Sequence, residues 1–487
     1  MRLNEKLLSG FRSYAGARLL TQGISWVGTV YIVRRLDSHA FGLFGIAMVL
    51  VSFGSILYDG TLTETLVQRH PADRSERRSV FTLLLLIGVC SAALMCGLGS
   101  VVSHATDEPQ AAPLLWVMSC SLVLMSVTVL PHSRLIRDMA FPRLAIVSSV
   151  QALAATLTSV VLAYRGAGPW ALVLGTLMGT AVRAVGLNVL APSLTVPSFA
   201  LTHALSYVRF GGTLLADNLL WRWYVSLDTL LLARWVGAAS LGHYSLAQQL
   251  AEMPLEKIST IANDVALPAY TQLRQDEKGF ARLMLETIRT HAIMGIPIFW
   301  GLAATADVAV PALFGPAWNA AIPPLMALAA VAPLRLIGSV ETPAMTGLGR
   351  PGVLIQTKLI IVPAMTLALV IGAWTGGING AALAWLLAFP ICYGMGFRLV
   401  LRAATLPYGD VARVVRGPAG AGAIMFGVVR GWQLQSRGTD LPALAVLATS
   451  VVIGAIAYGV GLWLLDRQAF RLARGRAGQL LGLAASE

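Results

Sequence analysis

The chain repeats one feature along its whole length: fourteen apolar segments long enough to cross a bilayer, separated by short polar gaps. Their limits fall near 14–33, 42–66, 79–102, 113–132, 144–164, 168–190, 209–233, 240–266, 290–313, 321–345, 353–375, 378–398, 415–431 and 441–464. A spanning helix needs about 20 predominantly apolar residues. Hydrocarbon offers no water to backbone N–H and C=O groups, so such segments must pair those groups internally as helices. Composition agrees, because 56% of the 487 residues are hydrophobic and only 12% are charged, against about 25% charged in a soluble domain. The expected fold class is an all-α polytopic membrane protein with about 14 transmembrane helices.

The net charge of +13 invites a nucleic-acid reading. No basic run with interleaved aromatics supports it, and the arginines recur in the gaps between apolar segments. With the N-terminus inside, 24 of the 36 basic residues lie on the inner side, 6 on the outer side and 6 within spans. This positive-inside bias predicts both termini in the cytoplasm of a bacterial inner-membrane protein. Arg2, Lys6 and Arg12 precede a first span with no A-x-A-like site after it, so an uncleaved anchor is expected. Cys90, Cys96, Cys120 and Cys392 all fall inside apolar segments and have no metal or disulfide spacing. No G-x-x-x-x-G-K-[ST], H-E-x-x-H or G-x-S-x-G pattern occurs, and outer loops are short. The chain is not expected to be an enzyme or to hold a metal.

An internal repeat appears at a shift of 200 residues. VRRLDSHAFGLFGIA (33–47) lies over ARWVGAASLGHYSLA (233–247), so that Arg34 meets Arg234 and Gly42 meets Gly242. GPWALVLG (168–175) echoes NGAALAWL (379–386), and FPRL (141–144) echoes RPGV (350–353). An even number of spans per half makes the repeats parallel, related by an axis along the membrane normal. The expected organisation is a six-helix lobe over 1–200, a second over 201–405, and two further helices with a basic tail over 406–487.

A charge at the bilayer centre costs roughly 2.5–3.5 kcal/mol on insertion scales, so it faces protein or a wet cavity. The candidates are Arg18, Asp59, Glu64, Asp217, Arg222, Asp228, Glu252, Glu256, Lys257, Asp264, Arg335 and Glu341. They concentrate in the seventh and eighth spans. At 100° per residue, Asp217, Trp221, Tyr224 and Asp228 share one arc, with Arg222 on an adjacent stripe. One reading pairs Arg222 with Asp217 or Asp228 as a lock between helices. The other puts these groups in an aqueous cavity, where an arginine fork suits phosphate and aromatic rings suit sugars.

Five stretches carry a family resemblance: VRRLDSHAFGLFGIAMVLVSFGSILYDGTLTETLVQR (33–69), GPWALVLGTL (168–177), SLDTLLLARWVGAASLGHYSLAQQL (226–250), NDVALPAYTQL (263–273) and GLGRPG (347–352). Through them the chain, from about residue 10 to 400, resembles Wzx-type polysaccharide exporters and lipid-linked oligosaccharide flippases of the multidrug/oligosaccharidyl-lipid/polysaccharide superfamily. The resemblance implies two six-helix bundles around a central cavity with two extra helices. It implies transfer of a polyprenyl-pyrophosphate-linked oligosaccharide from the cytoplasmic to the periplasmic leaflet by alternating access. A cationic cavity is implied, for which Arg18, Arg222 and Arg335 are available here, with Trp221 and Tyr224 as sugar platforms. Asp59, Asp217, Asp228, Glu252 and Glu341 are candidates for H+ or Na+ coupling, and no other cofactor is expected. The implied partners are the lipid-linked oligosaccharide, membrane lipids and polysaccharide polymerase or export machinery, with no nucleic acid. A lipid II-type flippase or cation-coupled drug antiporter of the same superfamily is the alternative, and a membrane polymerase or ligase is a remote one.

Overall fold

The structure, a computed structural model, describes residues 21–56, 58, 62–63, 66, 73–198, 202–436, 438 and 440–480; for 202–217, 260–265 and 476–480 it describes the backbone alone. Each of the fourteen predicted spans falls on helix. The first is α1 (residues 21–35), followed by α2 (Ser38–Ser55), α3 (Arg74–Thr106), α4 (Ala111–Ser126) and α5 (Val129–Arg137). Then come α6 (Phe141–Tyr164), α7 (Trp170–Leu190), α8 (Thr202–Trp235), α9 (Gly237–Gln272), α10 (Glu277–Phe314), α11 (Ile322–Gly338) and α12 (Glu341–Gly347). The chain ends with α13 (Gly352–Ala403), α14 (Tyr408–Ser436), α15 (Ala443–Leu465) and α16 (Arg467–Leu480).

Eight described segments are long and apolar enough to cross a membrane, or nine if the bent pair α4–α5 is one span. The predicted spans on α8, α9 and α14 carry more charged side chains, which dilutes their hydropathy. Helix α13, 52 residues long, covers two predicted spans. Gly377 breaks it with φ 54° and ψ −135°, a conformation that only glycine adopts without strain. Helices begin where short acidic side chains can cap them. Asp37 Oδ1 accepts the Ala40 N–H at 2.8 Å, Asp73 Oδ1 the Glu76 N–H at 2.7 Å, and Asp276 Oδ1 the Gly279 N–H at 3.0 Å.

Contacts group the chain into two compact units, Met1–Gly242 and His243–Glu487. Helix α8 joins the first unit because it packs on α2 and α3. The core of that unit gathers Leu43, Tyr58, Leu84, Leu114, Leu122 and Val173. In the second unit Phe299, Ala332 and Leu336 are packed by Leu255 and Ile258. Large apolar side chains such as Leu157, Val185, Leu359, Leu387 and Leu464 stay exposed, as expected of a surface solvated by lipid tails.

The sequence repeat has a physical counterpart. A Cβ built on Gly42 would run into the carbonyl oxygen of Ala238, and one on Gly242 into that of Ser38. Positions 38 and 42 correspond to 238 and 242 at the 200-residue shift. Two small-x-x-x-small pairs, Ser38/Gly42 and Ala238/Gly242, thus pack reciprocally with backbone against backbone. Between helices in lipid, small residues give this close approach, because van der Waals contact drives association there.

In the second unit an ion pair ties α10 to the start of α16. Arg289 Nη2 donates to both Asp466 oxygens at 2.8 and 2.7 Å, and Arg289 Nη1 donates to Gln468 Oε1 at 3.0 Å. Burial works against the charge on Asp466, yet the Ala469 N–H and the Arg289 guanidinium together hold its carboxyl below the ordinary carboxylate range. Stabilisation by the pair is therefore complete at neutral pH and is lost as pH falls through that depressed value.

Two outcomes are expected. Gly42→Leu or Gly242→Leu should cost about 2 kcal/mol or more through overpacking, while Gly97→Leu, with open space around it, should be tolerated; thermal unfolding in detergent checks this. Asp466→Asn should lower stability by about 2 kcal/mol at pH 7, and the gap to wild type should close in acid.

Candidate functional site

Helix α8 sorts its side chains sharply. Tyr224 and Asp228, one turn apart, are 5% and 1% exposed, whereas Trp221 and Trp223 are 49% and 45% exposed. The Trp221 and Tyr224 rings still touch, with centroids 5.6 Å apart and planes tilted by 43°. Asp228 Oδ1 accepts the Thr229 N–H at 2.7 Å. Arg222 is half-buried and makes no ion pair or hydrogen bond with a described residue. Of the two pairings the lock reading allowed, Arg222–Asp228 does not form: six residues apart, the two side chains leave the helix about 120° from each other. The Asp217 side chain lies outside the described residues, as do Arg18, Asp59 and Glu64.

In the second unit two more of the anticipated residues come together. Arg335 on α11 donates from Nη2 to Glu252 Oε1 on α9 at 3.0 Å. Gln248 Nε2 donates to the same oxygen at 3.4 Å. The guanidinium also stacks over the Trp385 ring, 4.9 Å from its centroid. Trp385 heads a run of aromatics at four-residue spacing on α13: Phe389, Tyr393 and Phe397 follow, with centroids 5.2–5.5 Å apart. Four residues is just over one helical turn, so these rings line one face. Glu341, the first residue of α12, is buried, and its Oε1 has no hydrogen-bond partner among the described residues. The ionisable groups around it are Lys358 and Tyr393, both on α13.

Three polar features escaped the sequence reading. The first unit holds a cavity of about 220 Å³ lined by Tyr58, Thr63, Thr128, His132, Gln151 and Arg183. Arg183 is the lone charge of α7; the same reasoning that singled out Arg335 could have found it. Asp307 on α10 pairs with Arg430 on α14 at 2.5 Å. Asp307 lies inside the predicted span 290–313, so the reasoning that singled out the other charges within spans applies to it as well. Third, Arg77, Arg134 and Arg137 border one small pocket at the ends of α3 and α5. No group of three or more His, Cys, Asp or Glu side chains fit to hold a metal occurs among the described residues.

A family model described as polysaccharide biosynthesis protein matches residues 32–323. The lipopolysaccharide biosynthesis protein WzxC of Escherichia coli strain K12 is 27% identical over 397 residues, covering 80% of this chain and 79% of the relative. The succinoglycan biosynthesis transport protein ExoT of Rhizobium meliloti strain 1021 is 26% identical over 453 residues, covering 93% of this chain and 91% of the relative. Among solved structures, the lipid II flippase MurJ in an inward closed conformation superposes with a TM-score of 0.78 at 14% identity, covering 93% of this chain and 98% of that one. At that identity the likeness is one of fold.

The Arg335–Glu252 contact gives its own test. Arg335→Ala strands a partly buried carboxylate and should cost about 2–3 kcal/mol, and a double-mutant cycle with Glu252→Gln should give a coupling of about 1–3 kcal/mol. Additive losses would mean that the pair does not hold α9 to α11.

Proposed function

The chain belongs to the polysaccharide biosynthesis protein family, and from that premise we propose that it flips a polyprenyl-pyrophosphate-linked oligosaccharide from the cytoplasmic to the periplasmic leaflet. It is a multi-pass membrane transport protein and not an enzyme, as its relatives are named for transport and biosynthesis of polysaccharides. The substrate, the direction and the cytoplasmic placement of both termini belong to the proposal, and the charge bias of the loops supports the placement of the termini.

Arg222 carries the mechanistic part. A guanidinium at mid-helix, half-buried and with no ion pair or hydrogen bond to a described residue, is the group this reading sets against the pyrophosphate. Trp221, exposed beside it and in ring contact with Tyr224, offers an apolar face of the kind a sugar ring stacks on. Arg335 plays a different part, because Glu252 already takes one of its donors; it reaches substrate only if that pair opens. Arg18 keeps its proposed place in the cavity on resemblance alone.

Among the acidic candidates, Glu252 is committed to Arg335 and Asp228 to the Thr229 N–H. Glu341 has the geometry that a coupling proton needs: a buried carboxyl with one oxygen unsatisfied and a tyrosine and a lysine beside it. Protonation turns that oxygen from an acceptor into a donor. Asp59 and Asp217 remain candidates for the same role.

Vesicles reconstituted with a labelled polyprenyl-linked saccharide test the proposal. Arg222→Ala should slow transfer about 10–100-fold while insertion and folding persist, the loss expected for one charge-assisted contact. Wild-type transfer by both Arg222→Ala and Arg335→Ala would sink the cationic route. Glu341→Gln should abolish any response to an imposed proton gradient without loss of expression.

A further inference from the structure

The first unit carries a second cationic site, apart from the residues assigned to transport. A pocket of about 190 Å³ lies where the start of α3 meets the end of α5, lined by Arg77, Ser133, Arg134, Arg137, Asp138 and Ser193. At about 30 Å³ per water molecule this is room for some six waters, or for a phosphate group. Three guanidiniums face one carboxylate there. Asp138 forms long ion pairs with two of them, 3.8 Å from Arg134 Nε and 3.9 Å from Arg137 Nε, and so offsets one of the three positive charges. None of the three arginines makes a side-chain hydrogen bond with a described residue. Three guanidiniums against one carboxylate leave a net positive charge at the pocket, which favours an anion there.

The surroundings say what kind of anion. Arg134 and Arg137 end the bent α4–α5 segment and Arg77 begins a membrane-length helix, so the pocket lies at the boundary between water and hydrocarbon. Twelve residues further along α3, about 18 Å at 1.5 Å per residue, Val89 begins the lining of an apolar groove of about 890 Å³. Cys96, Cys120, Leu124, Leu162 and Met178 continue that lining, from α3, α4, α6 and α7. Val89 leaves α3 about 120° from Arg77, so the groove opens on another side of that helix; what points to a lipid-borne anion is the position of the charge at the interface.

We propose that Arg77, Arg134 and Arg137 form a binding site for a lipid-borne phosphate. Basic pockets between helices at the cytoplasmic boundary suit such headgroups. Two lipids present this chemistry: bulk anionic phospholipid and the polyprenyl pyrophosphate of a carrier.

Thermal unfolding of the purified full chain in detergent tests the site without requiring transport, so its failure is separate from failure of the flippase reading. A ligand that binds only the folded state raises Tm with its concentration. Dioleoylphosphatidylglycerol, undecaprenyl pyrophosphate and, as a neutral control, dioleoylphosphatidylcholine are titrated in turn. At least one of the two anionic lipids is expected to raise Tm and the control to leave it unchanged. Each Arg→Gln substitution should weaken the apparent affinity about tenfold. Asp138→Asn, which removes the opposing carboxylate and spares the arginines, should strengthen it about threefold. A response to phosphatidylglycerol alone assigns bulk lipid, and a response to the pyrophosphate alone assigns the carrier. No response to either, or an unchanged response in Arg77→Gln, Arg137→Gln and Asp138→Asn, overturns the site.

Discussion

A guanidinium cannot be left alone in hydrocarbon, and the contacts that house the described arginines within spans and at span ends order the interior of each unit. Arg335 is neutralised by Glu252 and covered by the face of Trp385, so α9, α11 and α13 are drawn to one point. Arg430 meets Asp307 and thereby links α14 to α10. Arg289 grips Asp466 and fixes where α15 stops and α16 turns away. Arg183 is lodged among hydroxyl, amide and imidazole groups. Each solution is a cross-helix contact, because a charge and its partner on one turn would still leave the pair facing lipid. Arg222 makes no such contact with a described residue.

Much of the fold was legible in the residues alone, because lipid imposes a simple code. A run of some twenty apolar residues must be helix, and each of the fourteen predicted spans falls on one. The break between 353–375 and 378–398 was visible as TGGING, and Gly377 carries it. The repeat was visible as well, but its meaning was not. Matching Gly42 to Gly242 gave a correspondence; only the structure brings each against the residue equivalent to the other's neighbour.

The site was less legible, for a physical reason. A helical projection gives angles, not neighbours. It put Trp221 and Tyr224 on one arc, and their rings do touch, yet one is half exposed and the other buried. Glu252 and Arg335 were both singled out, but 83 residues separate them and nothing in either segment names the other. Arg134 and Arg137 looked like ordinary inner-loop charges until the end of α5 brought them beside Arg77. The same freedom explains how MurJ keeps the fold at 14% identity: surfaces that face lipid need only be apolar, so sequence drifts while packing persists.

The reciprocal glycine crossing has a mechanical consequence. Both helices start at it, so they are pinned at one end, backbone on backbone, with no side chain there to compress. Any change in the angle between them must turn about that pivot, and the displacement grows with distance from it. Helix α2 has 18 residues, about 27 Å at 1.5 Å per residue. A splay of about 10° would move its far end by about 5 Å, roughly one helical turn. A pair of glycines thus serves as the fulcrum of a lever whose arm is the helix itself.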